Sequence, residues 1–324
     1  MENQNKSTRF IILGFSGNVE MHVLLFILFL IMYVMSLLGN ALISIVIRLE
    51  PSLHMPMCYF IASLSLVDIC YISVTAPKML VNFLSEDKSI SLVGCAAQLY
   101  FLLSLGTTEC FLLAAMAYDR FLAICNPLHY PLIMNKQLCA CLVAGSWASG
   151  ILLSLGQTTL IFSLPFCDEH WINYFFCDIP PLLKLACGDI YLNEITVFMA
   201  GLLITLIPLL LILFSYVHII NTVLKIASAN ERQKVFSTCS SHIIVITLFY
   251  GSASAMYLRP RSTYAFETDK FLALLYSIVT PTLNPIIYSL RNKEINEALK
   301  RRLIRYIMLF LAAALAFCSQ AVFS

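Results

Sequence analysis

The sequence predicts an all-α membrane protein: a seven-transmembrane helix bundle with a short cytosolic amphipathic helix after the seventh span. Three observations carry that prediction. Of 324 residues, 60% are hydrophobic and only 12% charged, and the mean hydropathy of +0.85 is more than a water-soluble fold of this length tolerates. Seven apolar segments, at 23–47, 56–80, 95–119, 138–162, 194–224, 235–258 and 270–290, are each long enough to cross a hydrocarbon core of about 30 Å. Lys and Arg are divided unevenly between the two sides: eight (Lys6, Arg9, Lys78, Lys88, Lys184, Arg259, Arg261 and Lys270) border the N-terminal side, and twelve, from Arg48 to Arg305, border the other. Basic residues mark the cytosolic side, so the expected organisation is an extracellular 1–22, a membrane domain at 23–290 and a cytosolic tail at 291–324.

The first 22 residues are polar or mixed, so the first apolar segment is expected to act as an uncleaved signal anchor rather than a removed leader. Asn5-Lys6-Ser7 fits the glycosylation acceptor pattern and agrees with an outside N-terminus. The third span carries the most information. It runs from Cys95 at one interface to Asp119-Arg120 at the other, 25 residues or roughly 37 Å of helix, the geometry of an element that senses on one side and reports on the other.

Polar groups interrupt the spans at Asn40, Asp68, Glu109 and Asn284, and an ionised carboxyl there costs about 2.5–3.5 kcal/mol on insertion scales. Ser65 shares a helical face with Asp68, and Glu109 with Arg120. If their helices adjoin, Asn40, Ser65, Asp68, Glu109 and Asn284 form either a sodium or proton site, with sodium at Asp68 and Glu109, or a hydrogen-bonded packing network with one carboxyl protonated. Pro208, Pro281 and Pro285 lie within spans, where each removes a backbone donor and bends the helix. Of twelve cysteines, Cys95, Cys167, Cys177 and Cys187 fall on the outside, which leaves three pairings open. Bridging Cys95 to the long link after the fourth span would pin that link across the mouth of the bundle, and the pairing expected is Cys95 with Cys177 and Cys167 with Cys187. Others, such as Cys58, Cys70, Cys110 and Cys239, read as small buried hydrophobes, and no spacing suggests a metal.

Several function classes lose support. No basic patch with interleaved aromatics points to nucleic acid. No HExxH, GxSxG or Gly-rich phosphate loop points to a membrane enzyme. A transporter or channel would show repeats between its halves, and none is apparent.

One ordered set of motifs is specific. It comprises Leu38-Gly39-Asn40, Pro56-Met57-Cys58-Tyr59-Phe60, the stretch Met116 to Cys125 (MAYDRFLAIC), Ser215-Tyr216, Lys234 to His242 (KVFSTCSSH) and Pro281 to Tyr288 (PTLNPIIY). Over about residues 8–303 the chain resembles the olfactory receptors, of the tetrapod-type class II, within the rhodopsin-like G-protein-coupled receptors. The long second outside link with its three cysteines also resembles the family and supports both expected bridges. Cys58 stands where a tyrosine is usual and Phe121 where one is frequent. The larger departure is the tail, where 306–317 is nearly all apolar; it reads as an interfacial helix with Cys318 acylated, or as an altered end with no role.

The resemblance implies a receptor on the plasma membrane that binds a small odorant between the third, fifth, sixth and seventh helices and admits a stimulatory G protein, raising cyclic AMP. A rhodopsin-like receptor for a non-odour metabolite would carry the same transduction parts. Residues suited to the pocket are Leu102, Leu103, Gly106, Thr107 and Cys110 on the third span; Ala200, Ile204 and Thr205 on the fifth; Ala253, Ser254 and Tyr257 on the sixth; and Tyr276 and Ser277 on the seventh. Tyr257 offers ring area and a directional hydroxyl. The outer half of the third span has no acidic counter-ion for an amine, while Arg259 and Arg261 lie higher, either as solvated loop charges or as attractors of acids. On the cytosolic side the resemblance implies that Asp119 restrains Arg120 at rest, that Arg120 meets the G protein and Tyr216 in the active form, and that His242, Tyr250 and Tyr288 carry the rearrangement. The expected partners are an odorant, the G protein and membrane lipid.

Overall fold

The computed structural model describes residues 9–15, 17–166, 171–187, 190–257, 266–292 and 294–302. The expected Asn5 glycosylation site, Cys167, Arg259, Arg261, the apolar segment 306–317 and Cys318 lie outside the described residues, as does the side chain of Tyr257.

Among the described residues there are seven helices long and apolar enough to cross a membrane. They are α1 (Val19–Leu49), α2 (Pro56–Leu84), α3 (Leu92–Cys125), α5 (Lys136–Phe162), α7 (Tyr191–Leu224), α8 (Ala229–Tyr257) and a seventh built from α9 (Phe266–Leu274), a π-type turn (Leu275–Val279) and α10 (Thr280–Arg291). Two short helices, α4 (Tyr130–Ile133) and α6 (Ile179–Leu185), lie in the links, and a last helix, α11, runs over 294–302.

Most spans begin several residues before the apolar runs because polar residues start the helices. Asn18 accepts from the Met21 amide at 3.0 Å, Ser91 from Gly94 at 3.0 Å and Asn135 from Leu138 at 2.9 Å, each satisfying an amide that the first turn leaves open. Pro56 opens α2 where its missing N–H costs nothing. α3, at 34 residues roughly 51 Å long, is the axis of the bundle. Of its apolar stretch 72% is buried, against 11% for α1 and 22% for α7, whose Leu, Ile and Phe side chains face outward as a lipid-facing surface requires.

α3 packs closely on α5. Gly150 makes this possible, because a Cβ there would overlap Thr108 Oγ1 and come 2.5 Å from the Ser104 carbonyl oxygen. Gly39 does the same between α1 and α10, where a Cβ would lie 3.0 Å from the Pro285 ring.

One face of the bundle carries a small sheet that the sequence reading did not anticipate. Strand β1 (Arg9–Ile12) pairs antiparallel with β2 (Ser89–Ser91) and parallel with β3 (Trp171–Ile172). Phe10 and Ile12 are buried beneath it, Phe10 edge-on to Phe166 with centroids 5.4 Å apart. The chain then turns at Gly14, whose φ of +66° suits glycine, and Lys270 donates to the Gly14 carbonyl at 2.9 Å. From Arg9 on, the amino-terminal stretch is therefore part of a cap.

Candidate functional site

Beneath that cap the Cys95–Cys177 disulfide ties the start of α3 to the link after α5. Cys187 is disulfide-bonded as well. Gln98 reinforces the first bridge, since its Oε1 accepts from the Cys177 amide at 3.0 Å while its Nε2 donates to the Val74 carbonyl at 3.0 Å. The link is driven inward: Tyr174, Phe175, Phe176 and Cys177 are all buried. Asp178 follows and is fully buried. Its carboxylate accepts from the Ile179 amide at 2.8 Å, starting α6, and from the Tyr276 hydroxyl at 2.6 Å, joining the link to the seventh span.

α6 thereby roofs a cavity of about 390 Å³. From α3 it is lined by Leu102, Leu103, Gly106, Thr107 and Cys110, from α7 by Ile204 and Thr205, from α8 by Ala253 and from the π-type turn by Tyr276. Ala200, Ser254 and Ser277, expected with them, are not in the wall. The α7 face runs through Val197, Gly201 and Ile204, which Ala200 borders but does not share, and on α8 the wall is Phe249 and Ala253, one turn apart, with Ser254 a step further round. Of the adjacent pair on the seventh span it is Tyr276 that lines the cavity, while Ser277 is fully buried in the bundle.

Sequence reasoning missed the roof residues Ile179, Pro180 and Leu183, and also Tyr71, Gln157, Val197, Phe198 and Glu194. The roof depends on the disulfide, which no periodicity shows. Gln157 had a readable signal: it continues the buried face Ser146, Gly150, Ser154 of α5. Glu194 supplies an acidic group from α7 where none was expected from α3.

Below the cavity, Tyr250 donates to the Cys110 carbonyl at 3.2 Å. Two turns further along α8, roughly 12 Å away, His242 Nδ1 and Tyr216 Oη are hydrogen-bonded at 2.8 Å. Tyr288 is buried close by, and among the described residues neither its hydroxyl nor Arg120 Nε has a hydrogen-bond partner. Asp119 does not form the expected pair with Arg120: among the described residues its Oδ1 accepts from Tyr130 at 2.9 Å, and its Oδ2 has no hydrogen-bond partner. Burial and the neighbouring Asp119 carboxylate push the Tyr130 phenol upward, so it remains a donor.

The polar residues of the spans separate into two groups. Asn284 Nδ2 donates to both Asp68 oxygens, at 3.2 and 3.0 Å, with buried Glu109 adjoining and buried Ser65 one turn before Asp68. Asn40 belongs elsewhere. It donates to the Ser36 and Pro281 carbonyls, both at 3.0 Å, and so binds the seventh span's backbone rather than the carboxylates.

With this geometry in view the comparison with known proteins is direct. The family profile described as "Olfactory receptor" matches residues 29–306. The chain belongs to the olfactory receptor family. It is 50% identical to human olfactory receptor 10A7 over 307 residues, covering 95% of this chain and 97% of that protein. It is also 50% identical to human olfactory receptor 10A3 over 311 residues, covering 95% and 99%, and 48% identical to human olfactory receptor 10AG1 over 298 residues, covering 92% and 99%. The olfactory receptor described here is thus a multi-pass membrane protein and not an enzyme.

Proposed function

We propose that this receptor binds a small volatile organic molecule in the cavity beneath α6 and, on binding, admits a stimulatory G protein at the opposite, Arg120-bearing face, raising cyclic AMP. The observation that carries the reading is the connection between the two ends. The cavity wall at Cys110 is hydrogen-bonded to Tyr250, which shares α8 with His242, itself bonded to Tyr216 at the level of Arg120. A ligand shifts such a bundle only by binding one packing better than the other, and a wall of α3, α5, α7, α8 and the seventh span offers that difference. In this reading the capped, disulfide-bearing face is outside the cell, as the Lys and Arg distribution favours, α11 lies on the cytosolic side, and the outward apolar faces of α1 and α7 meet lipid.

Asp68, Glu109 and Asn284 fit a sodium ion or a shared proton. Glu109 Oε1 and Asn284 Oδ1 are buried without hydrogen-bond partners among the described residues, and oxygen donors of this kind suit a hard cation. Asp68 and these two atoms would hold it and help keep the second and seventh spans together.

The test is Arg120→Ala in cells expressing the full receptor and an odorant panel. Odorant-evoked cyclic AMP should fall to background while surface expression persists. Normal signalling from a well-expressed variant would refute the role of this face.

A further inference from the structure

Three polar side chains in the cavity wall have no hydrogen-bond partner among the described residues. Gln157 on α5 and Thr107 on α3 are each 5% exposed and Tyr71 on α2 is 3% exposed, and none makes a side-chain hydrogen bond among the described residues. Many hydroxyls of this bundle satisfy themselves on the preceding turn, although those of Ser44, Ser154, Thr158 and Ser277 are also buried without a hydrogen-bond partner among the described residues. Thr108, next to Thr107, donates to the Ser104 carbonyl at 2.8 Å, and Thr205 across the cavity donates to Gly201 at 2.8 Å. The polar atoms of Gln157, Thr107 and Tyr71 are reachable from the cavity rather than sealed away from it, so an occupant that replaces solvent there is favoured when it supplies a hydrogen-bond partner. Among the described residues no Lys, Arg or His lines the cavity, so an acidic ligand would meet no counter-ion from them.

We infer that the cavity selects a neutral aliphatic alcohol, with Gln157 and Thr107 reading the hydroxyl while Leu102, Leu103, Val197 and Ile204 take the hydrocarbon. A hydroxyl both donates and accepts, and so matches an amide that presents Nε2–H and Oε1 together. An aldehyde only accepts and leaves Oε1 unsatisfied; an alkane satisfies nothing. This rests on the cavity being the ligand site and names the ligand class for it.

The test uses the full receptor in cells, read as cyclic AMP against surface expression, with a matched set: 1-octanol, octanal, octanoic acid and octane. 1-Octanol should be the most potent, octane at least about tenfold weaker, and octanoic acid inactive. Gln157→Leu should weaken 1-octanol about tenfold and leave octane unchanged. Thr107→Val, which removes the hydroxyl at nearly constant shape, is the second variant if Gln157→Leu reaches the surface poorly. Acid or alkane matching the alcohol, unchanged 1-octanol potency in both variants, or silence to every neutral oxygenated chain from six to twelve carbons overturns the inference. Gly201→Trp separates the two levels, since a Cβ at Gly201 meets nothing within 4 Å and the indole would fill the cavity. If it abolishes all responses while the Gln157 and Thr107 variants behave as wild type, only the alcohol inference fails; if it leaves them intact, the cavity reading itself fails.

Discussion

Three glycines of α5, Gly145, Gly150 and Gly156, receive the same substitution in the sharpest test of how this bundle is held together. At Gly150 an added Cβ overlaps Thr108 Oγ1 and stands 2.5 Å from the Ser104 carbonyl oxygen, whereas ordinary contact begins near 3.4 Å. The threonine hydroxyl can rotate away, but the carbonyl is backbone of the central helix. α3 and α5 must therefore part by roughly an ångström, and overpacking of this kind costs about 1–3 kcal/mol. At Gly145 and Gly156 a Cβ meets nothing within 4 Å. There alanine only removes glycine's backbone freedom, a gain of about 0.5–1 kcal/mol in a helix interior. The assay is thermal unfolding of the purified receptor, followed with a thiol-reactive dye that reports exposure of buried cysteines such as Cys110 and Cys139. Gly150→Ala should melt earlier than the parent, and Gly145→Ala and Gly156→Ala at the same temperature or later. Adding Thr108→Ala to Gly150→Ala should recover only part of the loss, because the Ser104 carbonyl stays. Three equal melting temperatures, or full rescue by Thr108→Ala, would refute the close-approach argument.

Two further outcomes follow from contacts at the opposite ends of α3. Tyr130→Phe removes a donor to a buried carboxylate, worth about 1.5–3 kcal/mol, and leaves both Asp119 oxygens without a hydrogen-bond partner; the nearest cation to recruit is Arg120, so the maximal cyclic AMP response should fall with odorant potency unchanged. An unaltered maximum would remove Tyr130 from the coupling. Cys177→Ser opens a bridge across a sequence separation of 82, typically worth about 2–4 kcal/mol, and frees the roof over the cavity. Surface expression should drop, and the receptor that does reach the surface should lose its odorant response; retained potency would show that the roof stands without the bridge.

The spans were legible because lipid demands long apolar runs whatever the fold around them, but their ends were not. Asn18, Ser91 and Asn135 begin helices as polar caps, outside any apolar run. The α3 side of the cavity was legible for a related reason: Leu103, Thr107 and Cys110 recur on one helical face, and the structure puts all three in the wall. The roof was not. Ile179 and Leu183 lie in a seven-residue helix whose position depends on Cys177, Asp178 and Tyr276, contacts made across nearly a hundred residues of sequence. The cap was invisible too, since β1 is four residues long and its partners come from two distant links.

The seventh span shows what a proline motif can and cannot tell. Pro285 has no N–H, so the carbonyl of Pro281, one turn earlier, loses its helical partner. That carbonyl accepts from Ser36 Oγ and from Asn40 Nδ2, both at 3.0 Å, and Gly39 between them lets the Pro285 ring approach closely. The asparagine of the first span and the prolines of the seventh are thus one device, split across some 240 residues of sequence. Its consequence is mechanical. The prolines predict a bend at Pro281 and Pro285, and at that level the helix is pinned to α1. The helix widens instead at the π-type turn Leu275–Val279, where the Thr280 amide and hydroxyl both donate to the Leu275 carbonyl. Tyr276, which closes the cavity wall and holds Asp178, sits in that widened turn. A change in the cavity therefore reaches the seventh span where its register is loosest, and one turn before it is fixed.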